Sequence, residues 1–566
     1  MTGRRSEPIT FTDATALLVA RSVSSPAFIG HYRRPAVSWN LADLFEQVAE
    51  AVGEREAIVT ASARLSFAAL DERSNRLANV LASMGVRAGD HVALVLRNGN
   101  EYIEAMLAAF KLRAVPINVN TRYTTDELNY LLADAGPKVV LVEPDLQLKV
   151  QSALRHADIS AATIARGADY EDRLKAAPAS ATVTDRSGDD LYILYTGGTT
   201  GLPKGVIWRH ESLLFGALGG GNPGGDPVST PGELVEVARK GRSRCLPASP
   251  FTHGTAHWTA WSTLLSGGTV VIDTEPTFDA ERLWDLAEAE RVSILVIVGD
   301  AFARPLADAL ETNQQRWDLG DLLVVLSGGA VLSPSVRGEL LAQLPWSVVV
   351  DGYGTSETGG QGQMPVFFGE PPKPQTRFHV DEHTVVLDDA GRPAPPGSGL
   401  VGRLARRGFI PVGYLGDSAA TNDTFVELDG QRWAIPGDMA RVEGDGSITL
   451  LGRGTSSINS GGEKVFPEEV ESILKGHRSV FDAVVVGVAH ERFGEQVSAV
   501  VQLRAGAELD LAELEQHART HLADFKVPRR VVVVEELKRR PTGKADLLWA
   551  RAQIEADRDS PPDPQT

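Results

Sequence analysis

The sequence predicts an α/β fold, in which a large N-terminal domain of parallel-rich sheets covered by helices is followed by a small α+β C-terminal domain. Two observations predict this fold. Short β-branched runs alternate with segments of helical period along most of the 566 residues, which is typical of parallel sheets joined by crossover helices. Small polar residues at 452–460 then separate this part from a shorter region with a different order of elements.

Several apolar runs of the large part end directly at Gly, Asp or Ser, as buried strands do when a functional loop follows them. After the run Leu322–Leu326, Ser333 is placed to cap a helix that begins at Pro334. Val336, Leu340 and Leu341 lie on one face of that helix. The predicted strands are Leu191–Tyr195, Val270–Ile272, Ile294–Val298, Leu322–Leu326 and Val348–Val350.

The C-terminal part begins with a predicted helix that starts at Pro467 and stops at Gly476. We place the large domain at residues 1–453 and the small domain at residues 454–566. The elements that follow the helix are strand-like Ala483–Val488 and Val497–Leu503, helix-like Leu511–Leu522 and strand-like Val531–Val534.

Charge and cysteine content limit the class of partner. Lys and Arg total 56 against 74 Asp and Glu, so the net charge is −18. An acidic surface repels nucleic acid and anionic lipid at long range, so we expect neither as the main partner. The single cysteine, Cys245, cannot form an intrachain disulfide. Since no apolar run reaches the length of about 18 residues typical of a membrane span, we expect a cytoplasmic protein without integral membrane association.

A glycine- and threonine-rich loop is the most informative segment. It lies in 191–206, LYILYTGGTTGLPKGV, where a strand runs into the loop. Its backbone N–H groups and hydroxyls can bind phosphate oxygens, and Lys204 adds positive charge. Because Lys204 is followed by Gly205, the loop is not a Walker A loop. Gly and Thr also cluster in ordinary turns, so the loop alone leaves that alternative open.

The loop resembles the phosphate-binding signature of the acyl-adenylate-forming family, [YF]-T-S-G-[ST]-T-G-x-P-K-G-V. The chain is similar to the AMP-binding acyl-CoA synthetases over almost its whole length, and the segments GGTTGLPKGVIWRH and SINSGGEKVFPEEVE look closest to actinobacterial fatty-acyl-CoA synthetases, including ligases that activate sterol side chains. The other family blocks follow in order: DGYGTSE at 351–357, Gly437-Asp438, a hinge and CoA-facing block at 452–471, and PTGK at 541–544.

The resemblance implies that ATP, Mg²⁺ and coenzyme A act together on a carboxylic acid. By resemblance, Glu357 and Thr196 hold the magnesium that bridges the phosphate oxygens. A glutamate alone is more often a cap or a surface carboxylate, so this role depends on the surrounding block. The residues expected to hold the β- and γ-phosphates are Thr196, Thr199, Thr200 and Lys204.

The adenosine site is implied in the same way. Tyr353 offers a flat ring to adenine, and Asp438 can accept hydrogen bonds from the ribose hydroxyls. Arg453 can reach the ribose or a phosphate. Taken alone, SGGA and Gly-Asp are ordinary turns. The full set of expected contacts is Gly328, Gly329, Ala330, Asp351, Gly352, Tyr353, Gly354, Ser356, Asp438 and Arg453.

Lys544 corresponds to the catalytic lysine of the family, which reaches the attacking carboxylate and the α-phosphate in the first half-reaction. Without the resemblance it would be part of a solvated basic patch. In the family the small domain then rotates about a hinge and presents a second face for thioester formation. That face is expected to include Gly461, Gly462 and Glu463 as contacts of coenzyme A.

Three positions depart from the family pattern. Gly197 replaces the customary serine of the phosphate loop, Thr455 stands where the hinge aspartate is usual, and Asn459 replaces a frequent lysine. The adenylation chemistry is therefore better supported by the sequence than the hinge mechanics.

The acyl pocket is expected near His253, which matches the histidine or aromatic residue at the carboxylate end of the family's pocket. A structural role for this histidine is the alternative. We expect GDAFAR, at 299–304, to form the next wall, where Arg304 pairs with a substrate carboxylate or with Asp300. Trp258 and Trp261 line either the core or an apolar tunnel, and the core is the safer interpretation.

The leading expectation is an ATP-dependent acyl-CoA ligase that activates a fatty or steroid side-chain acid as an acyl-adenylate. One alternative is an adenylating enzyme that loads a carrier protein in trans, because no carrier-like domain follows Lys544. Another is a catalytically silent nucleotide sensor, against which the presence of Lys544 and Glu357 argues. The oligomeric state stays open between a monomer and a homodimer.

Overall fold

The computed structural model of the protein describes residues 38–181, 185–196, 203–370, 376–454, 457–460, 463–490, 494–539 and 545–559. The α-helices in these ranges are α1 (Leu41–Val52), α2 (Phe67–Ser83), α3 (Asn100–Lys111), α4 (Thr125–Ala135), α5 (Gln147–His156), α6 (Ala168–Ala176), α7 (His210–Ala217), α8 (Pro231–Lys240), α9 (Gly254–Leu265), α10 (Ala280–Ala289), α11 (Asp300–Thr312), α12 (Pro334–Gln343), α13 (Ser418–Thr424), α14 (Pro467–Lys475), α15 (Leu511–His521) and α16 (Leu547–Asp559).

The strands in the same ranges are β1 (Glu56–Val59), β2 (Arg64–Ser66), β3 (His91–Val95), β4 (Val115–Asn118), β5 (Val139–Val142), β6 (Ala162–Ala165), β7 (Leu191–Thr196), β8 (Lys204–Arg209), β9 (Arg244–Pro247), β10 (Thr269–Val271), β11 (Ile294–Ile297), β12 (Val324–Gly328), β13 (Val348–Thr355), β14 (Gly359–Phe367), β15 (Arg377–Val380), β16 (Thr384–Leu387), β17 (Val401–Arg407), β18 (Gly413–Tyr414), β19 (Phe425–Leu428), β20 (Gln431–Ala434), β21 (Asp438–Val442), β22 (Ile448–Arg453), β23 (Ile458–Ser460), β24 (Glu463–Val465), β25 (Val480–His490), β26 (Gly494–Leu503) and β27 (Arg530–Val534).

The described strands before residue 454 form two sheets. The larger has the order β19-β20-β17-β21-β22-β15-β14-β13-β12-β11-β9-β10-β1-β2, with β16 paired to β17. Its neighbours from β1 to β13 are parallel, and those from β13 to β20 are antiparallel. The second sheet has the order β18-β8-β7-β4-β3-β5-β6, parallel from β6 to β7. The predicted α/β fold is confirmed.

Helices fill the space between these two sheets. One core cluster joins Ile58 and Val270 of the larger sheet to Val92 and Leu141 of the second sheet through α1, α2, α3 and α9. Eleven of the 12 residues of α3 are buried. A helix that is buried on all sides fixes the distance between the layers it separates, because packed interiors leave few voids. The carboxyl ends of β3, β4 and β7 are thereby held against the larger sheet.

The five predicted strands of the large part are present, with one informative difference. We expected the residues after Val350 to form a loop, whereas β13 continues to Thr355 and forms a hairpin with β14. The segment DGYGT is therefore a paired strand. At the predicted helix start, Ser333 precedes α12, but its side chain makes no capping hydrogen bond; its backbone N–H donates to Asp300 Oδ1 at 2.7 Å.

The C-terminal part has its own sheet, with the order β24-β23-β26-β25 and with β27 parallel to β26. Helix α14 ends at Lys475, next to the predicted stop at Gly476. Helices α14 and α15 cover one face of this sheet, and α16 packs on the other. The small α+β unit is thus present, while its boundary at residues 453 and 454 stays a prediction.

Ion pairs join the two parts. Lys475, at the end of α14, is buried with its Nζ 3.3 Å from Asp300 Oδ2 and 3.5 Å from Asp482 Oδ1. Glu339 of α12 accepts from Arg504 at 2.8 Å. Both contacts join α11 or α12 of the large part to the small unit, so they define an ionic interface between the two.

The end of helix α9 depends on glycine. Gly267 has a φ of +75°, and a Cβ there would lie 2.1 Å from the carbonyl oxygen of Ala238. Gly267→Ala should therefore combine backbone strain with a steric clash and lower the free energy of unfolding by roughly 2–5 kcal/mol. Urea denaturation measures this loss.

Gly89→Ala is the matched control, because Gly89 has a φ of +82° with nothing within 4 Å of its added Cβ. This change should cost strain alone, roughly 1–2 kcal/mol. Equal losses in the two variants would show that the Ala238 contact relaxes freely and that the prediction is wrong.

Candidate active site

The predicted phosphate loop connects two antiparallel strands. Strand β7 ends at Thr196 and β8 begins at Lys204, and these two residues are paired across the hairpin. Thr196 and Lys204 therefore frame the base of the loop. The predicted phosphate ligands Thr199 and Thr200, together with Gly197, lie outside the described residues.

Lys204 has two neighbours that the sequence did not suggest. Its Nζ lies 3.0 Å from Asp417 Oδ2 and 5.3 Å from the centre of the Tyr414 ring. A backbone N–H from Ala420 and the Lys204 ammonium lower the pKa of Asp417. Since both side chains are about 40% exposed, the pair contributes little stability. The lysine is therefore held near the hairpin by a contact that a phosphate can replace.

Glu357 lies in the turn between β13 and β14 and is 9% exposed. Its Oε1 accepts a 3.0 Å hydrogen bond from the Tyr414 hydroxyl, and its backbone N–H donates to Thr355 Oγ1 at 3.2 Å. Burial, and next the Glu357 charge, raise the pKa of Tyr414. Strand β18, which contains Tyr414, pairs with β8. The predicted magnesium ligand is thus beside the phosphate hairpin.

Ser356 joins the same region through its backbone. The indole Nε1 of Trp208, on β8, donates to the carbonyl oxygen of Ser356 at 3.0 Å. The turn that contains Glu357 is therefore attached to the second sheet, although it belongs to the larger one.

The predicted adenine residues lie on adjacent parallel strands. Gly328, at the end of β12, is paired with Gly352 of β13. Gly329 and Ala330 follow and are exposed, and Gly329 has a φ of +86°. The Tyr353 ring packs 5.6 Å from the ring of Phe378. Gly352, Tyr353 and Gly354 are consecutive, partly buried residues of β13. The residues expected to contact adenine therefore lie side by side on β13 and at the end of β12.

Asp351 lies deeper than a nucleotide contact needs. It is 4% exposed, and its Oδ2 is 3.7 Å from Arg337 Nη1 of α12. Burial raises the pKa of Asp351 to about 7, although the Arg337 charge lowers it. In this position Asp351 joins β13 to α12, and its predicted contact with the nucleotide stays a prediction.

The predicted ribose residues face each other on an antiparallel pair. Asp438 begins β21, Arg453 ends β22, and the two residues are in register. Their Oδ1 and Nε atoms are 3.5 Å apart.

Arg453 is also the centre of a larger charge cluster. Burial lowers the pKa of its guanidinium, but the charges of Asp438 and Glu357 and the hydroxyls of Tyr353 and Tyr414 raise it above the ordinary value. The structure thus brings the residues that are predicted to bind adenine, magnesium and ribose into one cluster beside the predicted phosphate hairpin.

His253 immediately precedes α9 and is partly buried. One turn later lies His257, which the sequence analysis missed although its i+4 spacing from His253 was visible. His257 is buried, with Nδ1 2.6 Å from the carbonyl oxygen of Phe251 and Nε2 bonded to the Tyr192 hydroxyl. Burial lowers the pKa of His257 to about 4, which keeps the ring neutral at physiological pH.

The two tryptophans differ in environment. Trp261 is 1% exposed and belongs to the core, as the safer interpretation held. Trp258 is partly buried and donates from Nε1 to the Tyr192 hydroxyl at 3.2 Å. This hydrogen bond joins α9, which contains Trp258, to β7, the strand that leads to the phosphate loop.

The expectation for Arg304 was wrong. The side chain is 1% exposed, its Nη1 lies 3.3 Å from Glu339 Oε2, and its guanidinium is 5.6 Å from the centre of the Phe481 ring. Asp300, the alternative partner, has Lys475 at 3.3 Å. GDAFAR faces the small unit through Arg304, so this side chain belongs to the ionic interface and not to an acyl pocket.

Several residues expected at the coenzyme A site and the hinge, and the expected catalytic lysine, fall outside the described ranges. Lys544, Gly461, Gly462 and Thr455 lie outside the described residues. Glu463 begins β24 and is paired with Ser460. The backbone N–H of Asn459 donates to Glu495 Oε2 at 2.9 Å. The roles expected for these residues stay predictions.

The donor chemistry of the site suits Mg²⁺. Glu357 supplies a carboxylate and Thr196 a hydroxyl, both hard oxygen donors, and Mg²⁺ at nucleotide sites uses one or two carboxylates together with phosphate oxygens. Among the described residues, no group of three or more His, Cys, Asp or Glu side chains could hold a metal ion. In the same residues, no helix is long and apolar enough to cross a bilayer.

Comparison with known proteins identifies the family. The family model described as AMP-binding enzyme matches residues 45–410. The chain belongs to the AMP-binding enzyme family. The model of the AMP-binding enzyme C-terminal domain matches residues 469–544. The resemblance drawn from the sequence motifs is thus confirmed.

Similar proteins are known for almost the whole length of this AMP-binding enzyme. The 3-oxocholest-4-en-26-oate–CoA ligase of Rhodococcus rhodochrous is 43% identical, over 91% of this chain and 96% of the relative. A medium/long-chain-fatty-acid–CoA/3-oxocholest-4-en-26-oate–CoA ligase of Mycobacterium tuberculosis is 42% identical, over 92% and 97%. The crystal structure of ATP-bound MatB from Rhodopseudomonas palustris has a TM-score of 0.77 and 28% identity, over 92% of this chain and 99% of that one.

In this AMP-binding enzyme, Glu468 of α14 packs on the strand that ends at Arg453. A Cβ on Gly452, whose φ is +105°, would lie 2.2 Å from Glu468 Oε2. Burial first, and then the charges of Glu471 and Asp438, raise the pKa of Glu468 to about 7. The first turn of the small unit thus places a proton-binding group next to the ribose residues.

The raised pKa predicts a pH-dependent effect of Glu468→Gln. Because the folded protein holds this proton up to about pH 7 and the unfolded chain only to about pH 4.5, ionisation of Glu468 lowers stability as the pH rises through that range. Glutamine stays neutral. The free energy of unfolding of the variant, measured relative to that of wild type, should therefore rise by roughly 2–3 kcal/mol between about pH 5 and about pH 8. Urea denaturation at both pH values measures the difference.

Glu508→Gln, an exposed change in the same unit, serves as the control and should differ from wild type by the same amount at both pH values. A difference for Glu468→Gln that does not depend on pH would show that this carboxylate is already ionised in the folded protein.

Proposed function

We propose that this AMP-binding enzyme is an AMP-forming acyl-CoA ligase that activates a fatty or steroid side-chain acid with ATP and transfers the acyl group to coenzyme A. One observation carries the proposal. Tyr353 and Glu357 of the DGYGTSE block form one cluster with Asp438 and Arg453, from two further blocks, beside the Thr196–Lys204 hairpin. A nucleotide such as Mg²⁺-bound ATP needs groups for its base, ribose, metal ion and phosphates together at one site.

In the first half-reaction a carboxylate oxygen of the acid attacks the α-phosphorus of ATP. The bond from this phosphorus to the β-phosphate oxygen breaks, and pyrophosphate leaves. Both reactants are anions, so the enzyme must place them in line and neutralise their charge. Lys204 and Arg453 are proposed to supply positive charge. Lys544 is proposed to neutralise the charge that develops between the carboxylate and the α-phosphate.

Glu357 and Thr196 are proposed to hold Mg²⁺. The bound ion would neutralise phosphate oxygens. The Tyr414 hydrogen bond leaves Glu357 oriented while occupying only one lone pair of Oε1. The carboxylate can therefore keep this bond and still offer oxygen to a metal ion.

In the second half-reaction the thiol sulfur of coenzyme A attacks the acyl carbon, and AMP leaves as the carbon–oxygen bond to phosphate breaks. Gly461, Gly462 and Glu463 are proposed to border the pantetheine arm, where glycine backbone permits close approach. Rotation of the small unit would exchange this face for Lys544. The ionic interface at Lys475 and Glu339 is a surface that this rotation would separate.

The substrate class is proposed from the relatives. The two ligases named above act, by their names, on 3-oxocholest-4-en-26-oate, and one of them also on medium- and long-chain fatty acids. Identity of 43% and 42%, over 91% and 92% of this chain, supports a related acid here. The proposed enzyme acts in the cytoplasm, and its assembly as a homodimer stays a prediction that its mass in solution would decide.

The deciding experiment is pyrophosphate release from ATP and Mg²⁺ with a panel of fatty, aromatic and steroid side-chain acids, each with and without coenzyme A. We expect release with fatty or steroid acids, followed by formation of the CoA thioester. Release without a thioester would favour transfer to a carrier protein. Nucleotide binding without release for any acid would contradict the ligase and favour a silent sensor.

The two half-reactions allow a test of Lys544. Lys544→Ala should slow acyl-adenylate formation at least about 100-fold, because a charge at the transition state is lost. Thioester formation from a synthetic acyl-adenylate and coenzyme A should stay within about threefold of wild type, because AMP departure no longer needs this ammonium. Rapid-quench assays of each half-reaction measure the rates.

Lys538→Ala removes an exposed positive charge six positions earlier in the chain and should leave both half-reactions unchanged. If Lys544→Ala slowed both half-reactions equally, the assignment of Lys544 to adenylation alone would be refuted.

A further inference from the structure

Two asparagines, the buried Asn118 and the partly buried Asn98, lie at the carboxyl ends of adjacent parallel strands of the second sheet. Asn118 is the last residue of β4, and Asn98 follows β3 by three residues. Neither belongs to a motif that the sequence analysis used. Both side chains bind the backbone of the segment 249–252, which precedes His253.

Asn118 binds two chain segments at once. Its Oδ1 accepts from the backbone N–H of Tyr195 at 2.6 Å, and its Nδ2 donates to the carbonyl oxygens of Tyr195 at 2.9 Å and Thr252 at 2.7 Å. All three hydrogen bonds are buried. Both N–H groups of the amide are thereby used. Tyr195 directly precedes Thr196, so one amide joins the phosphate strand to the residue before His253.

Asn98 holds the same segment from the neighbouring strand. Its Oδ1 accepts from the backbone N–H of Phe251 at 2.7 Å, and its Nδ2 donates to the carbonyl oxygen of Ser249 at 3.1 Å. His257 binds the other backbone group of Phe251, the carbonyl oxygen. Four backbone groups of 249–252 are therefore bound by side chains, at residues that belong to no regular element.

We propose that Asn98 and Asn118 form an amide clamp that fixes the distance between the acid-binding end at His253 and the triphosphate-binding end of β7 at Thr196. The amide clamp rests on the proposed function, because it is a positioning device for the attack of the carboxylate on ATP. A misplacement of about 1 Å between reacting groups can lower a rate about 100-fold. Neutral amides suit this task, since they hold two backbone segments without adding charge beside anionic substrates.

The first arm of the test does not depend on catalysis. Hydrogen–deuterium exchange is followed in peptides that cover 191–196 and 248–253. Asn118→Ala should speed exchange about tenfold in both segments, because one amide joins them. Asn98→Ala should speed it in 248–253 alone. Asn98→Asp keeps the acceptor for Phe251 but replaces the donor to Ser249 with a charged carboxylate oxygen, so it should also speed exchange in 248–253. Unchanged exchange in both segments would overturn the amide clamp.

The second arm measures pyrophosphate release with the preferred acid. In Asn98→Ala and Asn118→Ala we expect kcat to fall about 10- to 100-fold, with the dissociation constant of a non-hydrolysable ATP analogue and Mg²⁺ within about threefold of wild type. The double variant should lose less than the product of the single losses, because both residues hold one segment. Unchanged kcat, or an equal loss of nucleotide affinity, would refute a positioning role.

Asn79→Ala is the matched control. The Asn79 amide also donates to backbone carbonyl oxygens, those of Asn75, Pro178 and Ser180, but it lies on α2 and holds a different segment. It should leave kcat and exchange in 191–196 and 248–253 unchanged. If wild type released no pyrophosphate with any acid, the proposed function would fail, while the exchange measurements would still decide whether the amide clamp joins the two segments.

Discussion

The site depends on one electrostatic constraint: an acidic protein must bring an anionic acid to an anionic nucleotide. With a net charge of −18, long-range attraction cannot do this, so positive charge has to be local and buried. Arg453 supplies such a local charge, because the charges of Asp438 and Glu357 raise the pKa of its partly buried guanidinium although desolvation lowers it. The carboxylates that hold the arginine are the same groups that are predicted to bind a ribose and a metal ion. Binding and charge neutralisation are therefore inseparable here.

The strands and the order of the site could be predicted from the sequence because both are local properties. Runs such as ILVIV bury apolar side chains in a parallel sheet wherever they occur, and the blocks around Lys204, Glu357 and Asp438 retain their spacing. Tyr414 and Asp417 could not be found in this way. They contact Glu357 and Lys204 only because β18 pairs with β8, a pairing between residues about two hundred positions apart. Arg304 was misplaced for the same reason, since its partners belong to α12 and to the small unit.

The architecture explains why these contacts between distant parts of the chain have a fixed geometry. Helix α3 is buried between the two sheets, so the ends of β3 and β4 have a fixed position relative to the larger sheet. The segment 249–252 has no regular structure of its own, and side chains from those strand ends hold it. A rigid scaffold with an irregular loop whose backbone is held by side chains gives a site both precision and access.

The ionic interface between the two parts has a property that its separate contacts do not reveal. Lys475 lies between Asp300 of the large part and Asp482 of its own unit. Glu339 likewise lies between Arg504 of the small unit and Arg304 of its own part. When the two surfaces separate, each central ion retains a partner on its own side, and Asp300 and Arg504 return to water. The two surfaces can therefore separate without leaving Lys475 or Glu339 as an isolated charge in a low-dielectric environment. This arrangement makes the contact between them reversible.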